Sequence, residues 1–189
     1  MCMRIIAATL LLLTMQISLA QNYGDKEFYL LDSLDLDAMY DNDRQLIDSC
    51  LTVYHHSESD SMKMYTINYL VENSWDIMIW PRYNVLLYEL NEELISNGSE
   101  SMSLDNMLEI KATSLNNDGY YKNKQGEPEQ ALERYFLSLE LFVQLEDKQN
   151  TAYILNNIAS IYRAKGQQAK SLEYTYESFK IQEEMDNKM

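Results

Sequence analysis

The sequence has few of the residues on which catalysis and metal binding usually depend. Its 189 residues include two histidines and two cysteines. They contain no CxxC pair, no glycine-rich phosphate loop and no Ser/His/Asp set in a helpful context. His55 and His56 are adjacent and point in different directions on regular structure, so a solvated loop at residues 55–60 is a better interpretation than a metal site. We therefore expect no enzyme activity, no metal and no cofactor.

Glycine and proline are also scarce, with five and two residues, whereas apolar residues make up 46% of the chain. This composition favours helices over a turn-rich sheet and allows a substantial core. No long linker rich in Gly, Ser or Pro divides the chain, so we expect one domain or a short solenoid.

Basic residues are half as frequent as acidic ones, 15 against 30, which gives a net charge of −15. A strongly acidic surface disfavours nucleic acid and anionic lipid and would steer basic partners towards it. The simpler interpretation is a solvated face that keeps an exported protein soluble. We expect a protein or peptide partner and no nucleic acid.

The first twenty residues have the pattern of a secretory signal peptide. Arg4 gives a positive start, an apolar run at 5–13 follows, and Ser18-Leu19-Ala20 is a small-x-small cleavage site. The alternative is an uncleaved membrane anchor, but the strongly apolar part is short for a full span. We expect cleavage after Ala20, export to the periplasm or the extracellular space, and no membrane span in the mature chain.

Cleavage there would change two properties of the chain. It removes Arg4, the only charged residue of the segment, so the net charge becomes −16. It also removes Cys2, which leaves Cys50 without a partner for a disulfide. Cys50 is then best interpreted as a small buried hydrophobe.

Helical periodicity organises the rest of the chain into an acidic, helical lead-in followed by hairpins. The first hairpin has a helix from Asp60 to about residues 74–77 and a second helix with Pro81 in its first turn, which Asn97-Gly98 ends. The predicted boundaries are 21–59 for the lead-in, 60–98 for the first hairpin, 104–146 for the second and 148–189 for the third. The predicted fold is all-α, an α-solenoid of antiparallel helical hairpins.

The last two hairpins repeat each other at an offset of forty residues. Three pairs of small residues, Gly119/Ala159, Ala131/Ser171 and Ser138/Ser178, fall where antiparallel helices must approach most closely. Nine residues are identical in both copies: Ala112, Leu115, Asn116, Asn117, Gly126, Leu132, Glu133, Ser138 and Lys148 match their counterparts forty residues later.

With its small residues and a turn glycine at Gly126 and Gly166, this repeat resembles the tetratricopeptide repeat. The resemblance covers residues 111–189 and is weaker over 60–98, where Trp75 can take the early tryptophan position but the turn glycine is absent. Asp118 and Lys122 stand where the family prefers Leu and Tyr. The repeat is longer than usual, and in this it is similar to exported and sensory proteins of Bacteroidetes-like bacteria. In many of those, such an array precedes a histidine kinase or a DNA-binding domain.

The resemblance implies that the first helix of each hairpin lines a concave groove for an extended peptide or a partner helix. The paired asparagines offer donors and acceptors to a peptide backbone. The alternative, that they bind neighbouring turns or cap helices, stays open. Only Lys124 and Arg163 are basic, which favours a neutral or basic ligand over an acidic one. The implied groove residues are Thr113, Asn116, Asn117, Tyr120, Asn123, Lys124, Tyr153, Asn156, Asn157, Ser160 and Arg163.

The final helix is expected to leave apolar residues uncovered, because each hairpin of an array buries its apolar face against a neighbour. This predicts a partner, self-association or further repeats at the C-terminal helix, and a chain that is a piece of a longer array. The favoured function is a non-catalytic scaffold for protein–protein interaction, and the alternative is the sensory region of a histidine kinase or transcriptional regulator. The residues concerned are Leu172, Tyr176, Phe179, Ile181 and Met185.

Overall fold

The computed structural model describes residues 23–186, and the signal peptide predicted for residues 1–20 lies outside them. In the described part the protein is an all-helical solenoid without a β-strand, as the sequence predicts, and a single bridge joins Tyr23 to Asp35. The helices of residues 23–186 are α1 (Lys26–Tyr29), α2 (Asp41–His56), α3 (Asp60–Asn73), α4 (Trp80–Ser96), α5 (Leu104–Lys124), α6 (Pro128–Gln144), α7 (Lys148–Ala164) and α8 (Gln168–Asp186).

Helix boundaries follow local capping chemistry. The side chains of Ser59, Ser103 and Asp147 accept hydrogen bonds from the backbone N–H three residues later, at the starts of α3, α5 and α7. The turns after α5 and α7 each contain a glycine with positive φ, +79° at Gly126 and +73° at Gly166. The same turn therefore recurs forty residues apart.

Small residues let the paired helices come close together. A Cβ atom on Gly119 would lie 2.9 Å from ring carbons of Tyr135 and 3.2 Å from the carbonyl oxygen of Ala131. The hydroxyl of Ser138 donates to the carbonyl of Ala112 at 2.7 Å, and Ser178 donates to Ala152 at 2.8 Å. The repeated serines thus have a second role besides small size, since each satisfies a carbonyl on the facing helix.

Consecutive helices pack against each other in sequence order, and two apolar clusters form the core of residues 23–186. One cluster extends from Tyr29 to Ile110 and the other from Ala112 to Tyr162, so that α5 contributes to both. A core that continues from hairpin to hairpin is typical of a solenoid.

Two local predictions were wrong. His55 and His56 belong to the last turn of α2, where the His56 ring bonds the Thr52 carbonyl, so the loop before α3 is only Ser57–Ser59. Trp75 follows the end of α3 with 91% of its surface exposed and does not fill a packed tryptophan position. Of the helices in the described residues, none has the length and apolar character needed to span a membrane.

Candidate peptide-binding cleft

A cleft of about 390 Å³ opens where α3, α5 and α7 lie side by side. Four of its residues come from α5, because Thr113, Asn116, Asn117 and Tyr120 recur at the three- and four-residue spacing of one helix face. The complete lining is Val71, Glu72, Ser74, Trp80, Thr113, Asn116, Asn117, Tyr120 and Tyr153. We call this surface the cleft.

Asparagine amides connect neighbouring helices beside the cleft. The Asn157 side chain on α7 donates to Asn116 Oδ1 on α5 at 3.1 Å. The Asn117 side chain donates to Asn84 Oδ1 on α4 at 3.3 Å, and the buried Asn84 donates to the Ser114 carbonyl at 2.9 Å. Asn116 Nδ2 and Asn117 Oδ1 form no hydrogen bond with residues 23–186, so a donor and an acceptor remain at the cleft.

Aromatic rings form one wall of the cleft. The ring centroids of Trp80 and Tyr120 are 6.3 Å apart, and Trp80 also meets Tyr121 edge-on at 5.9 Å. The Lys124 ammonium lies 5.2 Å from the centroid of the Tyr120 ring. This cation–π contact places the lysine side chain beside the aromatic wall. The wall thus combines apolar area with polar edges.

Tyr135 of α6 has an environment unlike that of the exposed tyrosines of the cleft. It is buried against Gly119, and this burial raises the pKa of its hydroxyl well above the ordinary value, with smaller effects from Tyr153 and Tyr120. Tyr135 therefore keeps its proton to a higher pH than an exposed tyrosine does, and its ring is a packing residue of the core.

The structure brings together part of the predicted groove. Thr113, Asn116, Asn117, Tyr120 and Tyr153 line the cleft. Asn157 and Lys124 contact lining residues through the amide bond to Asn116 and the cation–π contact. Asn123, Asn156, Ser160 and Arg163 are exposed and are not among the lining residues.

Four lining residues were missed from the sequence: Val71, Glu72, Ser74 and Trp80. They belong to the end of α3 and the start of α4, where the repeat signal is weak. The one usable signal was the position of Trp80 directly before Pro81, because a residue at the start of a helix that follows a loop is often available to a neighbouring surface.

The geometry of the matching hairpins agrees with a comparison against protein families. Residues 111–184 match the tetratricopeptide repeat family model. The predicted resemblance is confirmed for this segment, which spans most of α5, all of α6 and α7, and nearly all of α8. No curated protein and no solved structure gives a significant match to the chain.

The two departures from the family pattern have polar partners in the tetratricopeptide segment. Asp118 pairs with Arg134 Nε of α6 at 2.9 Å, and Lys122 pairs with Glu127 at 3.2 Å. Both ion pairs are partly exposed, and the close contacts of Gly119 and Ser138 are present in the same hairpin.

Proposed function

We propose that the protein is a non-catalytic scaffold that binds an extended peptide segment of another protein in the cleft. Tetratricopeptide repeats are in general modules of protein–protein interaction. The observation that carries the proposal is the cleft itself, because it collects residues from α3, α5 and α7 into one concave surface with unused amide groups.

The lining chemistry indicates what kind of peptide would fit. Amide side chains at one edge recognise a peptide backbone through paired donors and acceptors, without selecting a side chain. The Trp80 and Tyr120 rings offer apolar area for an aromatic or aliphatic side chain of the ligand. Glu72 lines the cleft and the whole chain is acidic, so a neutral or basic peptide fits better than an acidic one.

We also propose that this scaffold works outside the cytoplasm. The support is the charged start, the apolar run and the small-x-small site of residues 1–20. The sensory region of a signalling protein remains the alternative function. A sensory region would use the same cleft. The resemblance of the long repeat to sensory proteins is the support for this alternative.

The test selects ligands from a phage-displayed library of random linear peptides on the immobilised protein. We expect enrichment of neutral or basic sequences that contain an aromatic residue. Tyr120→Ala should weaken the selected peptides roughly tenfold, because one stacked aromatic side chain is lost from the wall.

The matched control is Leu137→Ala, which shortens an exposed apolar side chain on α6, outside the cleft. It should leave the dissociation constant unchanged. Peptides that bind both variants as tightly as the unchanged protein would place the binding surface elsewhere and contradict the proposal.

A further inference from the structure

The C-terminal helix α8 carries an apolar stripe that nothing in residues 23–186 covers. Leu172, Tyr176 and Phe179 are 69%, 69% and 52% exposed. Their spacing of four and three residues places them on one face of the helix. Ser171 and Ser178 lie on a different face, about a quarter to a third of a turn away, and are buried; the Ser178 hydroxyl donates to the Ala152 carbonyl of α7.

The preceding repeat shows how this face is normally used. Leu132 of α6 is the counterpart of Leu172, and only 9% of it is exposed because it lies in the core cluster that α7 completes. Leu139, the counterpart of Phe179, packs against the same cluster. The stripe on α8 therefore has the position and chemistry of a helix-packing surface.

The order of residues along the stripe is self-complementary for a reversed copy of the same helix. Ala169, Leu172, Tyr176, Phe179 and Glu183 follow one another at spacings of three, four, three and four, the pattern of a helix–helix seam. In an antiparallel pair centred on Tyr176, Leu172 faces Phe179 of the second copy. The small Ala169 faces Glu183, so the one carboxylate in the stripe meets a methyl group and open solvent.

Charge along the edge of the stripe favours the same arrangement. Glu173 and Lys180 lie seven residues apart on the same edge of the stripe, each one position after a stripe residue, and both are exposed. The antiparallel pair places each Glu173 opposite Lys180 of the second copy, which gives two interchain ion pairs. Neither residue takes part in an ion pair within residues 23–186.

A parallel arrangement lacks this complementarity. It would place the two Glu183 carboxylates side by side in the seam, where like charges repel each other. It would also place Lys180 beside the uncharged Thr175 and Gln182 of the second copy, which flank the other edge.

From the stripe, its register and its edge charges, we infer that α8 is a homodimerisation helix that pairs antiparallel with α8 of a second copy of this chain. The interface is isologous, as two-fold symmetry requires. It lies on α8 and leaves the cleft of each copy open, so it does not depend on the proposed peptide binding.

The first experiment measures the mass of the purified protein in solution by sedimentation equilibrium over a range of concentrations. We expect a monomer–dimer equilibrium for the unchanged protein and a monomer for Leu172→Glu with Phe179→Glu. Val143→Glu alters an exposed apolar residue of α6 and should leave the dimer intact. A protein that stays monomeric throughout, or a dimer that survives the double change on α8, would overturn the inference.

A charge exchange tests the antiparallel register. Glu173→Lys alone or Lys180→Glu alone places like charges opposite each other at both symmetric contacts and should raise the dissociation constant of the dimer roughly tenfold. The double exchange Glu173→Lys with Lys180→Glu restores opposite charges and should return the constant to near its original value. Both side chains are exposed, so we expect these exchanges to leave the fold of each copy intact. Failure of the double exchange to restore the dimer would contradict the antiparallel pairing.

Discussion

The side-chain amide of Asn157 donates a hydrogen bond to Asn116 Oδ1 at 3.1 Å, across forty-one residues of chain and between the first helices of two successive hairpins. The two repeats are therefore joined by polar contacts on the cleft side and by the apolar core behind it. Asn116 is also a lining residue, so the same amide pair supports the fold and holds a cleft residue in place.

Removal of this amide should reduce stability by a modest amount. Asn157→Ala breaks one partly buried hydrogen bond and should lower the free energy of unfolding by about 1 kcal/mol in urea denaturation. Asn156→Ala is the matched control, because Asn156 is exposed and its side chain forms no hydrogen bond with residues 23–186. Equal losses in the two variants would show that the Asn116–Asn157 bond is not stabilising.

The two serine–carbonyl contacts should be equivalent. Ser138→Ala and Ser178→Ala each remove a buried hydroxyl that donates a hydrogen bond to a carbonyl on the facing helix. Each change should lower the free energy of unfolding by about 1 kcal/mol. Ser101→Ala, at an exposed position, should change stability by less than about 0.5 kcal/mol. Chemical denaturation monitored by circular dichroism measures all three, and a neutral Ser138→Ala would contradict the role assigned to the hydroxyl.

Gly119 should tolerate no large side chain. Gly119→Leu forces new atoms into the space of Tyr135 and should lower the free energy of unfolding by roughly 1–3 kcal/mol, although leucine favours the helix. Ala164→Leu adds a similar volume at an exposed position at the end of α7. Its free energy of unfolding should be within about 0.5 kcal/mol of that of the unchanged protein. Thermal melts of the two variants make the comparison, and a Gly119→Leu protein as stable as Ala164→Leu would disprove the close packing.

The thiol of Cys50 should be unreactive in the folded protein. Burial raises its pKa, and the reactive species is the thiolate, so the fraction available at neutral pH is lower than for an exposed cysteine. In a Cys2→Ser variant, where Cys50 is the only thiol, a disulfide reagent should react slowly at pH 7 and rapidly in guanidinium chloride. Equal rates in the two solvents would mean that Cys50 is accessible.

Much of the fold could be predicted because the repeat constrains it. Helix starts follow from Ser103, Asp147 and Pro128, and turns follow from Gly126 and Gly166, since these residues act through local chemistry that a sequence displays directly. The structure of the region before residue 100 was harder to predict from the sequence. Trp75 fits the repeat pattern by its type, but the loop from Ser74 to Ile79 leaves it in solvent. The start of that loop is held by Asp43 of α2, whose carboxylate accepts hydrogen bonds from the Ser74 hydroxyl and the Trp75 backbone N–H, a long-range contact that the repeat pattern does not display.

The cleft could be predicted only in part for a similar reason. The residues on α5 were found because a regular helix presents them at fixed spacing, as Asn116 and Tyr120 illustrate. Val71 and Trp80 were not found, because they reach the cleft through the tertiary arrangement of a hairpin whose repeat signal is weak. The roles of the amides were left open by the sequence, and the structure shows Asn117 and Asn157 bonded to neighbouring helices.

The central claim is that the cleft binds an extended peptide, and its most direct test is a dissociation constant. A labelled peptide selected on the unchanged protein is titrated with two double variants, and fluorescence anisotropy gives each dissociation constant. The first variant combines Asn117→Ala with Asn157→Ala, and the second combines Gln130→Ala with Gln144→Ala. The second variant removes two exposed amides on α6, outside the cleft. We predict at least roughly tenfold weaker binding by the first variant with unchanged helical content, and no change in the second. Equal affinity of the first variant and the unchanged protein would contradict the account.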